Sequence, residues 1–407
     1  MAMAPVRPGE RIRALDTLRG FALFGILVAN WRGFGWPAEY YPTPTVVLHT
    51  SVDLHVQFLV DLLFGNKFIS LLSLLFGIGF AIQLDRAAAG ASSFFVFHVR
   101  RLAGLALIGA VHAFLIWWGD ILLTYAVAGL ALLAFRSCGR RGLLTAAGAL
   151  LLLPFWLTLW RIATFTPAAR PPAAPHDAVA EVVSRAARAY LHGSWTERLC
   201  QNFHDWTINN DGGYFTALVV LAWFLAGVWL WRSGFVLQLR ERAALLARVA
   251  LWCLPLGIAA LLVVFQIRQA FQPRAGHLPV LLLATVLVRV VATAAISVGY
   301  AASLALLTLS GRLSRLERGL QAVGRTALSN YLLQSLVGTF VHYGYGLGLY
   351  ASLGAARALL LSVAVFGLQI PLSLWYLSLT RTAPAERLSR RISYGRPAAE
   401  PGSATGT

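Results

Sequence analysis

A carboxylate and a guanidinium stand three residues apart in "RIRALDTLRGFALFGILVAN", at Asp16 and Arg19, just ahead of an apolar run that closes on Asn30. That spacing puts both side chains on one helical face. Two readings of the pair are open. It is an interfacial ion pair whose arginine snorkels toward water, or an inward-facing anion site, because a guanidinium binds phosphate or carboxylate in bidentate fashion. A second group lies in "LALIGAVHAFLIWWGD". His112 is the residue type suited to general base chemistry near neutral pH, and Asp120 follows it by eight residues, beyond Gly119. A buried histidine that only bonds a backbone carbonyl is the competing reading. "GRTALSNYLLQSLVGTFVHYGYGLG" places Asn330, Gln334 and Gly338 at intervals of four, with His342 further along. Such a stripe holds membrane helices together or lines a cavity.

Other patterns carry less. His49 and His55 flank Asp53 at a spacing too general to define a metal site, and no P-loop, HExxH or G-x-S-x-G pattern occurs. Gly77 and Gly79 in "LLFGIGF" read as close-packing glycines. Cys138, Cys200 and Cys253 show no CxxC spacing, so neither a disulfide framework nor zinc is indicated.

The elements that position these residues are membrane helices. Of 407 residues 58% are hydrophobic and 12% charged, with mean hydropathy +0.68, far too apolar for a soluble domain. The net charge of +18 comes almost wholly from arginine, Lys67 being the only lysine. Scattered between apolar runs, those arginines indicate membrane topology and anionic lipid headgroups rather than nucleic acid. Runs of roughly 20 apolar residues predict an all-α bundle of about ten spans, near 15–33, 67–84, 101–118, 120–136, 142–160, 214–232, 246–266, 280–308, 326–348 and 355–378. With both termini cytoplasmic, most arginines fall inside, including Arg86, Arg100, Arg101, Arg312, Arg325 and Arg390. The first run is interrupted by Asp16 and Arg19 and lacks a cleavage site, so it reads as a span rather than a signal peptide. Residues 1–160 form an N-terminal five-helix half, 161–213 an outer loop with a short helix, 214–395 a C-terminal five-helix half, and 396–407 a disordered tail. Nothing in the sequence sets an oligomeric state.

Five blocks in order carry a family resemblance: "RIRALDTLRGFALFGILVAN", "GNKFISLLSLLFGIGFAIQLDR", "RRLAGLALIGAVHAFLIWWGDILLTYAVAGLALL", "GRTALSNYLLQSL" and "APAERLSRRISYG". The chain resembles the bacterial YeiB-like family, whose C-terminal half is domain of unknown function 418, from about Arg11 to Gly395. Ala383 departs from the glycine usual before the family's Pro-x-Glu. The first span is also similar to two groups of membrane acyltransferases. Acyltransferase-3 proteins carry an arginine, ten residues and then a histidine. Here Arg19 is followed by ten residues and Asn30, as in the heparan-glucosaminide acetyltransferase group with its "FRG…VN" span.

The resemblance implies acyl transfer in the bacterial inner membrane, from acyl-CoA to a hydroxyl or amine of an envelope glycan, lipid or metabolite, without a bound cofactor. With asparagine at position 30, the base must come from elsewhere, and His112 with Asp120 is the expected catalytic pair. Asp16, Arg19, Asn30, Asn330, Gln334 and His342 are the expected substrate-binding residues. Arg19 and His112 should lie about 15 Å apart along the membrane normal, so either one polar cavity connects them, which would support the enzyme, or the acyl group is relayed across, or one of the two assignments fails. A small-solute permease lined by the same residues, or a non-catalytic envelope accessory protein, are the alternatives, with membrane lipids as partners in every case.

Overall fold

The computed structural model describes residues 12–40, 50–89, 94–164, 176–211, 213–270, 279–380 and 382–394. His49, the Pro-rich stretch after Thr164 and the tail 396–407 lie outside the described residues. Among the described residues all regular structure is helical, as the composition requires of a multi-pass membrane protein.

The chain begins with α1 (Arg13–Gly35), α2 (Ser51–Leu63) and α3 (Lys67–Ala89), followed by α4 (Phe94–Val111) and α5 (Leu122–Leu132). Next come α6 (Arg140–Leu151) and α7 (Leu153–Thr164), then α8 (His176–Ala187) and α9 (Trp195–Asn209). Long apolar helices follow: α10 (Gly213–Arg232), α11 (Ala243–Ala270) and α12 (Pro279–Ser310). The C-terminal part contains α13 (Ser314–Arg325), α14 (Ala327–His342), α15 (Ala355–Leu379) and α16 (Pro384–Tyr394).

Six helical stretches among the described residues are long and apolar enough to cross a membrane, seven if α6 and α7, bent by 47°, make one span. Three of the ten expected runs, in α1, α5 and α14, fall outside that group for physical reasons. α1 is long enough at 23 residues but contains Asp16, Arg19 and Arg32. α5 keeps only 11 residues α-helical and α14 only 16. The loop expected to hold one short helix holds two, α8 and α9. The start of α9 is fixed by a capping box, in which Ser194 and Glu197 satisfy each other's backbone N–H groups.

α1 is the hub of the bundle, packed against α3, α12, α13, α14 and α15. Its contact with α13 is backbone on backbone. A Cβ at Gly324 would stand 1.9 Å from the Asp16 carbonyl oxygen, and one at Gly20 would stand 2.0 Å from that of Leu320. Small residues permit such close approaches between helices. The close fit holds Asp16 and Arg19, one turn apart on α1, against the start of α14. Further along, Leu23, Leu27, Trp31 and Phe34 fill the core with Phe68 of α3 and Trp117.

Candidate functional site

His112 opens a π-helical turn, His112–Ile116, that ends α4. Trp117 closes the turn by donating its N–H to the His112 carbonyl at 2.8 Å, five residues back. The wider turn shifts the register of α4 just where the histidine points inward, the usual setting of such turns being functional sites. The chain then doubles back through Trp117–Ile121, and Asp120 returns to His112. Its Oδ2 lies 2.8 Å from His112 Nδ1, while Oδ1 accepts the Leu123 N–H at 2.8 Å. On the other side of the ring, Nε2 lies 2.8 Å from Oγ of Ser335, a residue 223 positions away on α14. With the carboxylate accepting from Nδ1–H, Nε2 is the acceptor and the serine hydroxyl the donor. Asp120, His112 and Ser335 are all buried, the His112 side chain completely. A hydroxyl, an imidazole and a carboxylate in this order have the arrangement found at activated nucleophiles.

Aromatic groups and one amide wall the triad in. Tyr331, one turn before Ser335, has its ring centroid 5.0 Å from that of His112 and its hydroxyl 3.4 Å from the Gly119 carbonyl. Trp117 donates its indole N–H to the Gly33 carbonyl at 2.9 Å. Asn202 of α9 donates to the Ala113 carbonyl at 2.6 Å, so the outer-loop helix touches the residue beside His112.

A cavity of about 480 Å³ opens from the end of the bundle where α1 begins and α16 packs. Arg19, Arg101, Arg325 and Arg390 line it together with Asp16 and Glu386. Arg19 Nη1 is 2.9 Å from Asp16 Oδ1. Arg101 donates to Gln83 Oε1 at 3.0 Å, and its guanidinium lies 4.7 Å from the Phe76 ring centroid, a cation–π arrangement. Glu386 accepts from the backbone N–H groups of Leu328 and Ser329 at 2.7 and 3.2 Å and from the Ser329 hydroxyl. It therefore caps α14 from another helix. Four guanidiniums against two engaged carboxylates leave the cavity net cationic. Gly79 faces this space rather than a packed helix: a Cβ there would meet only Arg19 Nη2, at 3.9 Å. Gly77 does pack closely, against the Phe224 carbonyl.

The cavity reaches Ile121, Leu122 and Tyr331 but not His112. The expected single cavity touching both Arg19 and His112 is thus not found: this one ends at a wall that includes Tyr331, whose ring packs on His112. Asn330 and Gln334 lie elsewhere, in an interhelical ladder. Asn330 Nδ2 donates to Thr326 Oγ1 at 2.8 Å and Ser373 Oγ at 2.9 Å, and Gln334 Nε2 donates to Gln369 Oε1 at 2.9 Å. His342 bonds the Gly338 carbonyl at 2.8 Å and packs on Trp31 and Phe34 of α1. Asn30 is half-buried and does not line the cavity. Sequence reasoning missed Ser335, Tyr331 and Glu386, and it read Arg101, Arg325 and Arg390 only as topology signals.

At the opposite end, α8 and α9 are fastened by a buried carboxyl. Asp205 accepts from the Tyr190 hydroxyl at 2.7 Å, from Gln201 at 3.2 Å and from the Ala38 N–H at 3.4 Å. Tyr190 stacks on Tyr343 with centroids 4.4 Å apart. Burial pushes the Asp205 carboxyl up to about 6 from 3.8. A carboxyl raised on folding is protonated more readily in the folded state, so its stabilisation is complete below the unfolded value and lost as pH rises through about 6. Hydrogen-exchange protection of α9, corrected for intrinsic rates, should therefore be greater at pH 5 than at pH 7.5. Asp205→Asn should flatten that difference.

The chain's C-terminal part, residues 230–396, matches the family model described as "Protein of unknown function (DUF418)". The chain is 30% identical to the uncharacterized protein YxaH of Bacillus subtilis over 411 residues, covering 97% of this chain and 96% of that one. It is 29% identical to the uncharacterized protein YeiB of Escherichia coli over 410 residues, covering 94% and 96%. A shorter match, 36% identical over 133 residues and a third of this chain, is to an uncharacterized 39.9 kDa protein in the amylase 3' region of Bacillus acidopullulyticus.

Proposed function

We propose an activity for this chain, which belongs to the DUF418 family of YeiB and YxaH: it moves an acyl group from acyl-CoA to a hydroxyl or amine of an envelope glycan, lipid or metabolite. The observation that carries the reading is His112, held between Asp120 and a hydroxyl, next to a cationic cavity. His112 acts as the base, and Asp120 fixes its tautomer and stabilises the imidazolium that forms. The phosphates of coenzyme A lie among Arg19, Arg101, Arg325 and Arg390, with the thioester directed toward Tyr331. The arginine excess at this end supports a cytoplasmic position in a bacterial inner membrane, on the side where acyl-CoA is made. The acceptor comes from the opposite face, beneath α8 and α9.

Purified protein incubated with acyl-labelled acyl-CoA and candidate acceptors tests the reading by release of free thiol and transfer of label. Solute uptake into proteoliposomes without any thiol release would favour a permease using the same cavity. Arg101→Gln should raise KM for acyl-CoA by about 10- to 100-fold while changing kcat little, because its charge binds phosphate in ground and transition states alike. Steady-state kinetics at fixed ionic strength check this outcome.

A further inference from the structure

We propose that Ser335 is a covalent way-station that carries the acyl group as an ester between donor and acceptor. The proposal rests on the acyl-transfer reading above and specifies how the site performs it. Two observations force the question. The cavity that fits the donor is lined by Tyr331 but not by His112, and the two rings are in contact. On the far side, Asn202 of α9 contacts Ala113, next to His112, and its Oδ1 is buried without a hydrogen-bond partner. An unpaired buried acceptor costs free energy unless something donates to it, and the hydroxyl or amine of an acceptor substrate is such a donor. Two different elements thus offer donor and acceptor their places near His112, Tyr331 of α14 beside the cavity and Asn202 of α9 beside Ala113. Ser335 is the hydroxyl already at the histidine, with its Oγ 2.8 Å from His112 Nε2.

The step balances as follows. Rotation of Tyr331 admits the thioester, and Ser335 Oγ attacks its carbonyl carbon while His112 Nε2 takes the hydroxyl proton. The C–S bond breaks, the coenzyme A thiolate takes that proton from His112, and an acyl ester remains on Ser335. The acceptor hydroxyl or amine then attacks the ester carbonyl, giving its proton to Nε2. The bond from carbonyl carbon to Oγ breaks, and the proton passes to Oγ to restore the serine. Asp120 holds the imidazole through both halves.

The test uses full-length protein with acetyl-, octanoyl- and palmitoyl-CoA labelled on the acyl group, first without acceptor. After acid quench and digestion, the expected result is one labelled peptide, containing Ser335, whose label hydroxylamine releases at alkaline pH. Ser335→Ala should carry no label and should lose about 10³-fold in turnover. Ser335→Cys should regain the label as a thioester, which hydroxylamine cleaves at neutral pH. A purely structural role for Ser335 would not produce that change in lability. Wild-type turnover that persists in Ser335→Ala, or label on another residue, overturns the way-station but leaves acyl transfer standing. Absence of thiol release from the wild type with all three thioesters, with and without acceptor, overturns both. If Ser335→Ala fails to fold by size-exclusion chromatography, Ser335→Cys decides: a folded cysteine variant that takes no label overturns the proposal.

Discussion

His112→Gln is expected to lower acyl-CoA turnover by about 10³-fold or more, the loss typical when the base of such a constellation is removed. Glutamine is a demanding control because it retains one donor and one acceptor and can keep hydrogen bonds to Asp120 or Ser335. What it cannot do is take up and return a proton. The variant should therefore fold, and it should still bind coenzyme A in the arginine cavity, which His112 does not line. Turnover by thiol release, alongside coenzyme A affinity by direct titration, separates the two effects. Wild-type turnover in the variant would remove His112 from the chemistry altogether.

Gly324→Val should have the largest effect on the bundle itself. A Cβ at that position would lie 1.9 Å from a backbone oxygen of α1, and a backbone atom cannot rotate away as a side chain can. The helices must separate, and α1 carries Asp16 and Arg19 with it, so packing and the cavity wall are lost together. Overpacking of this kind costs several kcal/mol, and a drop on the order of 10 °C in the melting midpoint in detergent is expected. Gly148→Val on α6 is the matching control, because nothing lies within 4 Å of its added Cβ. Its midpoint should stay within a few degrees of wild type. Equal losses in both variants would mean that valine in place of a helical glycine, rather than the α1–α13 contact, is responsible.

The helical membrane architecture was legible because hydrocarbon imposes a period and a length that few other sequences imitate. The number of fully apolar spans was harder to read, since α1 holds its charges inside the protein and so resembles a span only over part of its length. The contact of His112 with Asp120 could be anticipated, because only eight residues and one helix break separate them. Ser335 could not. It sits on α14 among small residues that read as packing, and its partner is 223 positions away. Arg101, Arg325 and Arg390 border apolar runs, where translocation bias alone accounts for arginine, so only the fold reveals that three helices deliver them to one space. Gln334 and Asn330 illustrate the converse: the stripe was visible, and the fold assigns it to holding α14 against α15.

The turn that presents His112 differs from ordinary helix by a single surplus residue. Deleting one position between His112 and Ile116 would let α4 continue in unbroken register and turn everything beyond it through about 100°. Asp120 would then no longer return to His112, although every side chain of the triad would still be present. A helix whose end lets Asp120 meet His112 and one whose end does not are therefore a single codon apart. The indole bond to Gly33 and the amide bond from Asn202 brace the altered register against reverting. By this route an ordinary spanning helix can gain chemistry by insertion, with no residue type exchanged.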